Sequence, residues 1–146
     1  MTAFVYALDM GKCIEAELIL LHVYYLPPIS YEGYPSYVAE VYETIELNKF
    51  ENFKDQIPLL RKIAEEHNLD NIKMRHVLEQ GYLIPTIKAM IKKEKISMIV
   101  MGTSGDSGWK ETFLGANAGS VIENVDLISL TFPEKAWFER FIKIVF

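Results

Sequence analysis

The sequence predicts an α/β fold, an open and mostly parallel five-stranded sheet with helices on both faces. Three observations carry that expectation. Residues 96–101 form an apolar run interrupted only by Ser97, and 17–24 form a second run of leucines and β-formers, as strands buried on both faces require. Stretches of helical period lie between and after such runs, the alternation from which parallel sheets are built. Finally, residues 102–115 set a glycine-rich turn between a strand and the start of a helix.

Taken in order, Ala3, Ala7 and Gly11 make a small-residue stripe at i, i+4 spacing, so a helix over about 2–14 can lie close on a sheet. The strand at 17–24 follows, and its His22 reads as a packed core residue. Pro27, Pro28, Gly33 and Pro35 mark a loop, with Tyr31, Tyr34 and Tyr37 interleaved; these tyrosines suit a pocket, a partner surface or packing on the domain itself. From 36 to 67, Val38, Val41, Tyr42, Ile45, Phe50, Phe53, Ile57, Leu60 and Ile63 recur three or four apart and predict a long amphipathic helix. Pro58 lacks an N–H and clashes with the preceding turn, so a kink or two helices meeting near 56–58 is expected.

Over 72–79 Ile72, Met74, His76 and Leu78 alternate against Lys73, Arg75 and Glu79, the pattern of an edge strand. Gly81 closes it, and Pro85 suits the first turn of a helix whose buried stripe is Ile84, Ile87, Met90 and Ile91. Lys88, Lys92, Lys93 and Lys95 gather toward its C-terminal end, where cations complement the helix dipole. After the strand at 96–101, Gly102, Gly105 and Gly115 form a Gly-x2-Gly-x9-Gly pattern. Such glycines permit close backbone approach, and the helix beginning at 115 offers free N–H groups to an anion, although the same pattern also suits a plain turn. That helix, over 115–124, carries Ala118, Val121 and Ile122 at helical spacing. Residues 126–132 predict another strand, ended by Pro133, and 141–146 (FIKIVF) a last one.

At Met101, Gly102, Thr103, Gly105 and Gly115 the chain resembles the universal stress protein family, whose strand ends in Met-Gly-Thr before this glycine loop. Ser107, Gly108, Lys110, Glu111, Phe113, Leu114 and Asn117 resemble the variant in tandem bacterial members, and Ala7, Leu8, Lys12 and the run AELILLHV at 16–23 resemble the first helix and second strand. The resemblance implies a Rossmann-like fold of the adenine nucleotide alpha hydrolase type. It also implies ATP, or ADP or AMP, as ligand, with the base at the backbone of Val23. Gly102, Gly105, Gly115 and the N–H groups of Ala116 and Asn117 would hold the phosphates.

Two departures accompany it. Ala116 stands where the family has Ser or Thr, and the family's opening strand, with its terminal aspartate, has no counterpart; Asp9 lies inside the first helix. Residues 1–146 thus read as one domain resembling the first half of a tandem member without its opening strand, and 141–146 resembles the opening strand of a following copy. A gap in the middle of a parallel sheet leaves backbone groups unpaired, each costing about 1–3 kcal/mol in a domain stable by about 5–15 kcal/mol. Residues 141–146 are therefore expected to fill the vacant slot, within their own chain or exchanged with a second one.

Composition narrows the functions. The chain has 146 residues, 50% hydrophobic and 24% charged, an ordinary globular composition with enough length for a core. Its 20 acidic and 15 basic residues leave a net charge of −5, which does not favour nucleic acid. A single Cys13 fits a reducing compartment, and no signal peptide or membrane span is legible, so a cytoplasmic protein is expected. His22, His67 and His76 lack metal-ligand spacing, the loop lacks the Walker pattern, and no catalytic residue stands out. The readings are a stress-response regulatory domain binding an adenine nucleotide or, alternatively, a homodimeric interaction module without nucleotide. Trp137, Phe138 and Phe141 suit a subunit contact or a core equally well.

Overall fold

The computed structural model describes residues 3–28, 35–102, 116–132 and 142–145. Among the described residues nine elements follow one another: α1 (Ala3–Cys13), β1 (Leu18–Tyr24), α2 (Pro35–Glu66), β2 (Met74–Gln80), α3 (Leu83–Glu94), β3 (Met98–Gly102), α4 (Ala116–Asn124), β4 (Ile128–Phe132) and β5 (Ile142–Val145). The five strands form one sheet in the order β2-β1-β5-β3-β4. β1 and β2 run parallel, as do β3 and β4.

β1 is an unbroken apolar run because both its faces are covered. Leu18 and Leu20 point into a core with Phe4 and Leu8 of α1 and Leu60 and Ala64 of α2. Ile19 and Leu21 enter the opposite core, with Ile87 and Met90 of α3 and Ala118 and Val121 of α4. Helices therefore cover both faces, as expected. Fully burying one such aliphatic side chain is worth roughly 1.5–3 kcal/mol, so these two layers dominate the stability. β2, at one edge, is only half-buried along Met74–Glu79, in keeping with its alternating sequence.

The vacant slot is filled within the chain, and by a strand of reversed direction. β5 pairs antiparallel with β1, Leu18 opposite Val145 and Leu21 opposite Ile142, and antiparallel with β3, Met98 opposite Val145 and Val100 opposite Lys143. Linker length accounts for the direction. Phe132 is level with Gly102, at the carboxyl end of β3, and Ile142 begins only about one residue below that level. A return from the same end of the sheet suits a short connection, whereas a parallel crossover needs about a dozen residues or more, longer than 133–141.

α1, α2 and α3 end alike. Glu15, Asn68 and Lys95 take left-handed φ values of 54°, 55° and 55°. Beyond each, an N–H reaches back five residues: Ala16 to Gly11 at 2.8 Å, Leu69 to Ala64 at 2.8 Å and Ile96 to Ile91 at 3.2 Å. This is the Schellman arrangement, which normally recruits glycine. Here the apolar residue after each turn, Ala16, Leu69 or Ile96, packs into the core and offsets the strain.

Two sequence expectations need correction. The long helix is not divided near Pro58: α2 runs unbroken from Pro35 to Glu66 with Pro58 inside. The proline removes one hydrogen bond, but Phe53 before it and Leu60 and Ala64 after it are all buried, so both halves are anchored to the core and the helix continues through it. Ile122, expected on the buried face of α4, is 45% exposed, since Ala118 and Val121 alone point at the sheet.

Candidate functional site

A doubly wound sheet offers its ligand crevice where successive connections leave in opposite directions. From β1 the chain moves outward to β2, and from β3 it moves outward the other way to β4, so the switch lies between the carboxyl ends of β1 and β3. Val23 is the penultimate residue of β1, and Gly102 is the last of β3. Ala116 and Asn117 open α4, both exposed, with the first-turn N–H groups that an α-helix leaves without internal partners. Those four of the six expected site residues therefore lie on elements that meet the crevice. Gly105 and Gly115 lie outside the described residues.

Gly102 is informative in detail. A Cβ built there would meet only the Phe132 carbonyl oxygen among the described residues, at 3.9 Å, an ordinary contact. Packing within the sheet does not demand glycine at this position, unlike Gly81, where φ is 153° and a Cβ would sit 2.9 Å from Thr86 Oγ1. Gly11 is an intermediate case, its Cβ position 3.4 Å from the carbonyl of Ala16 in the turn that ends α1 and 3.7 Å from Ile72 Cγ2.

Beside the crevice, at the carboxyl ends of β1 and β2, a cavity of about 540 Å³ is lined by Tyr25, Leu26, Pro28, Tyr42, Glu46, Gln80 and Tyr82. The Gly81 N–H donates to the Tyr24 carbonyl at 2.9 Å and brings the two strand ends together. Tyr25 and Tyr82 then stack, ring centres 4.8 Å apart, with their hydroxyls 3.3 Å apart. That hydrogen bond, and to a lesser degree partial desolvation, pushes the Tyr25 phenol above its ordinary value. The tyrosines singled out in the sequence differ from these: Tyr31 and Tyr34 lie outside the described residues, and Tyr37 is exposed on α2. Tyr25 directly follows one predicted strand and Tyr82 follows the glycine that closes another, and pairing those strands in parallel register was the signal that could have joined them.

The opposite end of the sheet holds an ion-pair cluster. Arg75 reaches Glu17 at 2.6 Å through Nε and Glu94 at 2.8 Å through Nη2, while Lys73 Nζ lies 3.2 Å from Glu17. Burial alone would raise the Glu17 carboxyl, but hydrogen bonds from Arg75 and Lys73 hold it below the usual range. Arg75 does the same for Glu94. His76, half-buried on β2 with its ring edge toward Phe53, is kept below the ordinary histidine range by burial and then by Arg61. Its Nε2 and Gln56 Oε1 are buried and have no hydrogen-bond partner among the described residues. Among the described residues no group of His, Cys, Asp or Glu could hold a metal, and no helix is long and apolar enough to cross a membrane.

Sheet order and switch point define the class: a Rossmann-like α/β domain with its crevice at the strand carboxyl ends. The model of the Universal stress protein family matches residues 1–127, and the chain belongs to that family. Universal stress protein MJ0531 of Methanocaldococcus jannaschii is 28% identical over 119 residues, which cover 82% of this chain and 66% of that protein. This chain thus spans slightly under two thirds of its relative's length. Among solved structures, universal stress protein UspA from Lactobacillus plantarum superposes with a TM-score of 0.65 at 14% identity, covering 89% of this chain and 86% of the other. The hypothetical protein MJ0577 gives 0.60 at 22%, covering 90% and 88%. At such identities both likenesses speak for the fold alone.

Proposed function

We propose that residues 1–146 act as one regulatory, stress-response domain that binds ATP or another adenine nucleotide between the carboxyl ends of β1 and β3. The observation that carries this reading is Gly102: an exposed strand-end glycine that the described packing does not require, at the switch point, on the strand that leads to the N-terminus of α4. The base rests against the backbone of Val23, and the phosphates against Gly102, Gly105, Gly115 and the N–H groups of Ala116 and Asn117. Calorimetry with ATP, ADP and AMP tests it: saturable heat supports the site, and no heat at millimolar ATP rejects it.

A second reading, a homodimeric interaction module, is favoured by β4. Among the described residues this edge strand pairs only with β3; it carries no charge in ISLTF, and Ile128 is 66% exposed. An uncharged edge is a template for pairing with a second copy. Light scattering decides: a dimer that Ile128→Lys converts to monomer supports it, and a monomeric wild type rejects it.

A further inference from the structure

The tyrosine cavity at the ends of β1 and β2 is a site of different chemistry from the crevice. Among the described residues its one charged lining group is the carboxylate of Glu46, and none of its lining residues is a lysine or arginine. The influence of Glu46 extends beyond the wall, because Glu46 and Glu79, after burial, raise the phenol of neighbouring Tyr24. A phosphate would meet repulsion here. The phenol hydroxyls are engaged within the protein, Tyr82 with Tyr25 and Tyr42 with the Pro27 carbonyl at 2.9 Å. The rings therefore offer faces and edges more than donors. Aromatic faces beside one carboxylate attract a cation that carries apolar bulk, because the ring quadrupole and the carboxylate act on the charge while Leu26 and Pro28 meet the body. The volume of about 540 Å³ lies in the range of small-molecule sites, roughly 300–1,000 Å³.

We infer that the cavity formed by Tyr25, Tyr42, Tyr82 and Glu46 binds a small organic cation of the alkylammonium class, at a site separate from the nucleotide crevice. The inference does not depend on nucleotide binding. It is tested on the full chain at low salt with choline as the probe and 3,3-dimethylbutan-1-ol as its neutral isostere, followed through the tyrosine-ring NMR signals. Choline should perturb Tyr25 and Tyr82, and the isostere should bind at least about tenfold more weakly. Glu46→Gln and Tyr82→Ala should each weaken choline by roughly threefold to thirtyfold. Tyr82 is 65% exposed, so its truncation leaves the fold intact. Absence of choline binding, equal binding of the isostere, or unchanged affinity in both variants would overturn the inference. A repeat with saturating ATP should leave choline affinity unaltered; competition would mean that the cavity receives the nucleotide base and would equally overturn it.

Discussion

The two ends of this sheet use their polar groups in opposite ways. At the amino end, Glu17, Lys73, Arg75 and Glu94 satisfy one another and tie β1, β2 and the end of α3 together. At the carboxyl end, Gly102, Ala116 and Asn117 at the head of α4, and the side chains of Tyr25 and Tyr82 are exposed. Charges that pair internally lower the energy of the fold, whereas exposed donors and aromatic faces cost little and remain available to a ligand. One end is therefore tied together by its own charges, and the other is the end at which binding is proposed, with β5 wedged between the strands that link them.

Removing the shared strand should have the largest effect. Deletion of 141–146 strips β1 and β3 of their common partner, and unpaired buried groups at about 1–3 kcal/mol each exceed the stability of a domain this size. No cooperative thermal transition by circular dichroism is the expected result, and an unchanged melting temperature would refute the role given to β5. Gly102→Val should separate the two ends: the melting temperature stays within a few degrees because a Cβ meets only a 3.9 Å contact, while ATP affinity by calorimetry drops at least about tenfold. Equal ATP binding by this variant would remove Gly102 from the site.

Ala116→Ser adds a hydroxyl at the head of α4. A hydrogen bond to a charged phosphate is worth roughly 1.5–3 kcal/mol, so affinity should rise by about ten- to a hundredfold with the fold unaltered. The smallest effect belongs to the amino end. Arg75→Ala should lower the melting temperature by only a few degrees, because the Arg75 side chain is 40% exposed and solvent screens the pairs. Glu17 and Glu94 have depressed carboxyl pKa values in the fold. Their contribution is therefore complete above the unfolded glutamate pKa of about 4.3, and it disappears as pH falls through the folded values. Melting curves of wild type and variant should differ at neutral pH and converge in acid; a constant gap would show that Arg75 acts by packing alone.

Much of the fold was legible because burial writes itself into periodicity. The continuous run of β1 needs apolar residues on both faces, and the alternation of β2 betrays an edge; both were readable without coordinates. Pro58 does not split the helix in two, because the loss of one hydrogen bond is outweighed by Phe53, Leu60 and Ala64 packing on both sides of it. At the crevice, the placing of Gly102 at a strand end and of Ala116 and Asn117 at a helix start was legible from the strand and glycine pattern, and Val23 entered only through the family resemblance; the meeting of Tyr25 and Tyr82 was legible from neither. Residues 57 positions apart in sequence become neighbours only through strand register.

By itself the sequence determined the alternation of strands and helices, the family, and the need for a strand in the centre of the sheet, since each follows from local pattern and from the cost of unpaired backbone. Tertiary structure alone decided the reversed direction of β5, the joining of Glu17, Arg75 and Glu94, and the tyrosine cavity. The reason is physical: direction depends on the distance a linker must span, and clusters depend on which strands lie side by side. Neither quantity is a property of any single stretch of chain.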